Sequence, residues 1–173
     1  MSRPVRTAPT LAGGRVTLRA IRPADVDDIV DISVYDGVAA SDAAAARAML
    51  RRIEADAARG DTVHWGICQA GSDTVVGTIG FYRGFADAQG EVGYVLRAAF
   101  RRRGLMRAAL ALVVAFGFGR LGLATIVART AADNAASIGL LRRLGFEPRP
   151  SDEAFLTFAL RSDRYGRAAR PGG

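Results

Sequence analysis

The chain has 173 residues, 50% of them hydrophobic and 24% charged, which is the balance of an ordinary soluble globular protein and enough chain for one domain with a real core. All 24 basic residues are arginine, and the net charge of +7 favours anionic ligands or partners without choosing between a coenzyme, a nucleic acid and an acidic protein. The single cysteine, Cys68, excludes an intramolecular disulfide and a cysteine-based zinc site.

Residues 1–13 contain no apolar signal core and read as a loose arm. The longest apolar run, 108–118, is too short to span a bilayer, so the expectation is a soluble, cytoplasmic protein. In 15–21 the apolar Val16 and Leu18 alternate with Thr17 and Arg19, the pattern of a first strand. Pro23 in a first turn with Asp25 and Asp27 behind it predicts a helix through about Val34. Ser41 and Asp42 cap a second helix that runs to Arg59 and stops at Gly60. Residues 62–69 and 74–85 read as strands joined by the turn Ala70-Gly71-Ser72-Asp73, and 91–96 is the third strand of this meander. A long apolar helix over 106–118 is stopped by the glycines of 119–122, and 124–130 is rich in β-formers. Asp133 or Asn134 caps a helix ending at Leu144 and Gly145, and 155–160 closes the fold as a strand. From Arg161 arginines recur every third residue to Arg170, a solvated tail. The division is an arm at 1–13, a domain at 14–161 and an arginine-rich flexible tail at 162–173. A helix between two strands implies a parallel pair and the meander implies antiparallel ones, so the fold class is α+β (α/β three-layer), one mixed sheet with helices on its faces.

The most informative segment is the turn Arg101-Arg102-Arg103-Gly104-Leu105-Met106, between a strand and the long helix. A glycine turn that opens a helix offers unpaired backbone N–H groups and the positive end of the helix dipole. Three arginines beside it suit a pyrophosphate, which predicts a nucleotide-type cofactor. Gly117-Phe118-Gly119-Arg120-Leu121-Gly122 matches the dinucleotide pattern G-x-G-x-x-G, but a helix precedes it and a strand follows, the reverse of what that motif needs. These glycines read as a helix end. Cys68 in its strand-like run reads as a buried thiol, and the lone His64 beside Trp65 as structural. No cluster has metal-ligand spacing, so no metal is expected.

These pieces, in this order, resemble the GNAT N-acetyltransferase superfamily from near Arg15 to about Leu160, and within it the RimJ/RimL-like branch. Arg101, Gly104 and Met106 fall on the family's coenzyme A loop, R/Q-x-x-G-x-G/A; Met106 departs from the usual small residue but is familiar in that branch. The runs 16–25, 76–81 and 91–96 are similar to that branch too, as is Asn134-Ala135-Ala136-Ser137 leading to Leu144-Gly145-Phe146.

The resemblance implies acetyl-CoA as donor, no metal, and a mostly antiparallel sheet in the order β-α-α-β-β-β-α-β-α-β-β, splayed between the fourth and fifth strands. The pantetheine arm would enter the splay and pair with the backbone of Val95 and Leu96, one of which would also donate to the oxyanion. Backbone N–H groups of Arg101, Arg102, Arg103, Gly104, Leu105 and Met106 would hold the pyrophosphate, with Asn134 and Ser137 beside the coenzyme. Where many relatives have a tyrosine that protonates the departing thiolate, this chain has Leu141, so the role passes to Ser137. Glu91, roughly 17 Å along the strand from Leu96, is the candidate base; Glu153 is a weaker one, and Tyr94 lines the cleft or packs.

The acceptor implied is a protein N-terminal α-amine or a small primary amine. An α-amine, with a pKa of about 7.7–8.0, needs less help at neutral pH than lysine at about 10.4. The acceptor pocket would be built by the first two helices and the link at 148–152, where the alanine-rich helix over 42–58 offers few distinguishing side chains. The alternative is a coenzyme A-binding regulatory module without transferase activity. A nucleic-acid partner rests on charge alone and lacks interleaved aromatics, so no specific nucleic acid is expected. The expected state is a monomer or homodimer, with no membrane partner.

Overall fold

In the computed structural model, which describes residues 7–35, 37–151 and 154–168, an eight-stranded sheet organises the chain. β1 (Leu11–Gly13) and β2 (Val16–Arg19) form a hairpin, so part of the stretch expected to be a loose arm is the sheet's edge. Short helical turns at Pro23–Asp25 and Val30–Ile32 flank α1 (Val26–Ile29). The hairpin of β3 (Val34–Tyr35) and β4 (Val38–Ala39) stands apart from the main sheet and leads into α2 (Ala43–Arg59). The meander follows as β5 (Val63–Gln69), β6 (Val75–Tyr82) and β7 (Gln89–Leu96). Then come α3 (Leu105–Gly119), β8 (Thr125–Ala131), α4 (Ala135–Arg143), β9 (Glu147–Arg149), β10 (Phe155–Arg161) and α5 (Ser162–Ala168). The spatial order is β1-β2-β5-β6-β7-β8-β10-β9, antiparallel throughout except for the parallel pair β7–β8. The mixed, mostly antiparallel sheet expected from the sequence is the one observed.

The sheet has a core on each face. On one, Trp65, Ile79, Phe81 and Val92 pack against Leu110, Val113 and Phe116 of α3. Trp65 meets the Phe116 ring edge-on at 5.2 Å. Gly117 belongs to this contact: a Cβ there would stand 2.8 Å from the Phe81 ring, so only glycine lets α3 lie this close to the sheet. The glycine run that imitates a dinucleotide motif is therefore the packed end of a helix. On the other face, Cys68 and Val75 pack against Val26, Ile29, Ile32 and Leu50 from the α1–α2 region.

The single helix expected from Pro23 to Val34 is instead a chain of short turns. Its buried residues, Val26, Ile29 and Ile32, recur every third position, the repeat of a 3-10 winding, and β-branched residues and aspartates add little helical propensity. α2 follows expectation: the Asp42 carboxylate accepts from the Ala45 N–H at 2.8 Å and Gly60 closes the helix. Within the expected tail, α5 brings Tyr165 to 5.1 Å from the Phe118 ring.

Candidate functional site

The pairing of β7 with β8 is short. Partners run from Gln89↔Thr125 to Val92↔Ala128 and stop there, although both strands continue. Beyond that point β7 is held only by β6, and a gap opens between it and β8. This is the splay expected between the fourth and fifth strands of the core sequence pattern.

The register decides which backbone groups face the gap. Arg97 donates its N–H to the Val76 carbonyl at 2.9 Å, and hydrogen-bonded pairs alternate along an antiparallel ladder. Val95 and Gly93 therefore turn their N–H and C=O groups toward β6, while Tyr94 and Leu96 turn theirs toward the gap. Val95, expected to offer its backbone to a ligand, does not. Tyr94 and Leu96 are the residues of this stretch whose backbone groups face the gap. The Leu96 carbonyl already accepts from Nε of Arg101 at 3.2 Å, which ties the basic turn to the end of the strand.

The turn itself is shaped by positive φ angles at Arg102 (62°) and Gly104 (76°), and Gly104 is the N-cap of α3. The first N–H groups of α3, from Leu105, Met106 and Arg107, have no carbonyl one turn earlier to meet. Leu105 and Met106 anchor the turn by packing into the core. The Arg103 and Arg97 guanidiniums lie over the Phe100 ring at 5.4 and 5.8 Å, and Arg15 donates to the Arg103 carbonyl at 3.4 Å. The result is a braced, cationic rim with its free donors at the open end of the gap.

On the far side of the gap α4 begins. Asn134 caps it, its side-chain oxygen accepting from the Ser137 N–H at 3.1 Å. Ser137 is 8% exposed, and its hydroxyl lies 2.8 Å from the Tyr94 hydroxyl. Burial raises the Tyr94 phenol above its usual pKa while the Ser137 hydrogen bond pulls the other way, so the phenol is protonated at neutral pH. Leu141 is fully buried in the core. The Tyr94–Ser137 contact was not legible in the sequence, since a tyrosine in a strand reads as lining a cleft or packing alike.

Against the gap lies a cavity of about 660 Å³ between α2, the β3–β4 hairpin and strands β6 and β7. Glu91 faces it, 3.4 Å from the Arg83 guanidinium. Tyr94 and Val95 line it too, so it meets the gap there. Its other charged residues, Arg52, Asp56, Arg59 and Asp61, were missed in the sequence. Arg52, Asp56 and Arg59 follow helical spacing, which reads as the solvated face of α2. The 148–152 link is not part of its lining, and Glu153 lies outside the described residues. His64 is buried on β5 with Nε2 unpaired, and burial lowers its pKa to about 4, so it is a neutral core residue. Among the described residues no group of three or more His, Cys, Asp or Glu side chains comes together, and no helix is long and apolar enough to cross a membrane.

Residues 15–147 match the model of the acetyltransferase (GNAT) domain. A curated relative, the uncharacterized N-acetyltransferase YoaA of Bacillus subtilis (strain 168), is 35% identical over 86 residues, which is 49% of this chain and 49% of that protein, so the match spans about half of the relative. Among solved structures, RimJ of Mycobacterium smegmatis in complex with CoA-disulfide superposes with a TM-score of 0.74 at 20% identity, over 86% of this chain and 83% of that one. The RimL ribosomal alpha-N-protein acetyltransferase in complex with coenzyme A gives 0.78 at 16% identity, over 90% and 99%. At such identities these likenesses are of fold. The domain match covers most of the sequence, and the chain belongs to the GNAT acetyltransferase family.

Proposed function

We propose that this protein transfers the acetyl group of acetyl-CoA to a primary amine, most readily a protein N-terminal α-amine, by direct attack on the thioester. The observation that carries the reading is the early end of the β7–β8 pairing at Val92↔Ala128, with Tyr94, Leu96 and Ser137 left around the gap. A pantetheine arm carries amides, and the outward N–H and C=O groups of Tyr94 and the N–H of Leu96 are the complement that an extended amide needs. The free N–H groups at the start of α3, with the arginines of the turn, fit a diphosphate.

In this reading the N–H of Tyr94, the first past the paired region, or that of Leu96 donates to the oxygen as it gains charge. Tyr94 donates its phenolic hydrogen to Ser137 Oγ, which aims the Ser137 hydrogen into the gap toward the departing thiolate. The amine arrives from the cavity side, where Glu91 receives its proton, directly or through water, and Arg83 holds that carboxylate in place. An α-amine suits this arrangement, because at neutral pH a fair share is already unprotonated. We assign the protein to the cytoplasm, where acetyl-CoA is made. Asn134 acts here by capping α4 and so fixing Ser137.

The test is a thiol-release screen with acetyl-CoA against peptide N-termini, polyamines, aminoglycosides and free amino acids. Amine-dependent release of coenzyme A with an α-amine acceptor is the expected result. Coenzyme binding with no release for any amine would contradict it and favour a regulatory binding module.

A further inference from the structure

We infer that the acceptor is a peptide N-terminus with an acidic side chain within its first few residues, and that Arg52 receives that carboxylate; this rests on reading the cavity beside β7 as the acceptor site. A space of about 660 Å³ is in the range that encloses a drug-sized molecule, so it holds several residues of a peptide rather than one amino acid. Among the described residues six charged side chains line it, three arginines and three carboxylates, and they are unequally engaged. Asp56 accepts from the Tyr35 hydroxyl and from Arg59. Asp61 lies 3.3 Å from Arg59, and Glu91 lies 3.4 Å from Arg83. Each described acid in the wall thus has a donor already.

Arg52 is the exception. Among the described residues it has no carboxylate partner; its guanidinium lies over the Tyr35 ring, 5.2 Å from the centroid. Stacking on a ring face leaves the in-plane N–H donors of a guanidinium available, and their fork matches the two oxygens of a carboxylate. Tyr35 is itself held by Asp56, so the platform under Arg52 is fixed before any ligand arrives. The same wall works against polyamines. A second ammonium would meet arginines, and the carboxylates it needs are taken.

The experiment uses the full chain, with and without coenzyme A. Tetrapeptides carrying Glu, Gln or Lys at position 2, 3 or 4 are titrated calorimetrically, and the same peptides are run in the thiol-release assay. At one of these positions the Glu peptide is expected to bind, and to be acetylated in kcat/KM, about tenfold better than its Gln counterpart. The ratio is expected to shrink in about 0.5 M salt. It should fall toward one in Arg52→Gln and turn toward the Lys peptide in Arg52→Glu, a reversal that mere unfolding cannot produce. Equal handling of Glu and Gln peptides, a ratio unchanged in Arg52→Gln, or turnover of free aspartate or glutamate in preference to every peptide would overturn the inference. Selective peptide binding without acetylation would count against the transferase reading alone, and acetylation without acidic preference against this inference alone.

Discussion

Tyr94 and Ser137 reach each other from a strand and a helix 43 residues apart in sequence, and their hydroxyls meet at 2.8 Å across the mouth of the gap. Two hydroxyls in that position have separable tasks in the proposed reaction: one faces the thiolate, the other orients it. Ser137→Ala is expected to lower kcat about 100-fold with little change in the KM for acetyl-CoA, because the backbone that binds the coenzyme is untouched. Tyr94→Phe should lower kcat by about tenfold, since Ser137 then loses its aim but keeps its proton. Steady-state thiol release measures both, and an effect of either variant confined to KM would contradict the assignment. That Ser137 sits one helical turn after the Asn134 cap was legible in the sequence; the task proposed for it came only from the resemblance to the RimJ/RimL-like branch. The Tyr94 role was not legible, because a strand tyrosine reads the same whether its hydroxyl meets solvent or a helix. Val95 was misread for a related reason: which backbone groups face outward depends on the register against β6, and no local pattern in 91–96 encodes that.

Among the elements, β5 to β7 were legible because their strand-like runs and the Gly-Ser-Asp turn between the first two agree. The segment 23–32 was not, because its buried residues follow a three-residue repeat that mimics one helix. The β3–β4 hairpin escaped notice because its strands are two residues long and Val34 and Val38 remain 55% and 62% exposed. A charged junction pins this irregular region to the sheet. Arg19 of β2 binds Asp25 through two hydrogen bonds, at 2.8 and 2.9 Å, and reaches Asp73 in the β5–β6 turn at 2.7 Å. The hydrogen bond from Arg19 holds the Asp25 carboxyl below its ordinary pKa, with burial opposing it. A carboxylate depressed in the fold contributes stability above its unfolded pKa and loses it as pH falls through the folded value. Asp25→Asn should therefore cost about 2 kcal/mol at pH 7, and the difference from wild type should begin to shrink as pH falls below about 4 and vanish only below the lowered folded pKa. Urea unfolding at several pH values measures this, and a difference that stays constant with pH would contradict it.

Over the whole molecule, the fold brings two openings together at one strand. The gap between β7 and β8 and the cavity walled by α2 meet at Tyr94 and Val95, and in the proposed reaction donor and acceptor approach that stretch of backbone from opposite sides. The basic turn was readable from the Arg/Gly sequence, whose chemistry is local. The cavity was not, because its charges come from one face of α2 and from the ends of separate strands. The central claim is that the gap and the turn hold coenzyme A, and calorimetric titration of acetyl-CoA into the wild type and Gly104→Val tests it most directly. A β-branched residue at a φ of 76° strains the turn by about 1–2 kcal/mol, and the nearest atom to a Cβ placed at residue 104 is Cδ of Arg15 at 3.9 Å. One-to-one binding to the wild type is expected, with affinity at least about tenfold weaker for the variant. No binding heat with the wild type, or equal affinity in the two proteins, would contradict it.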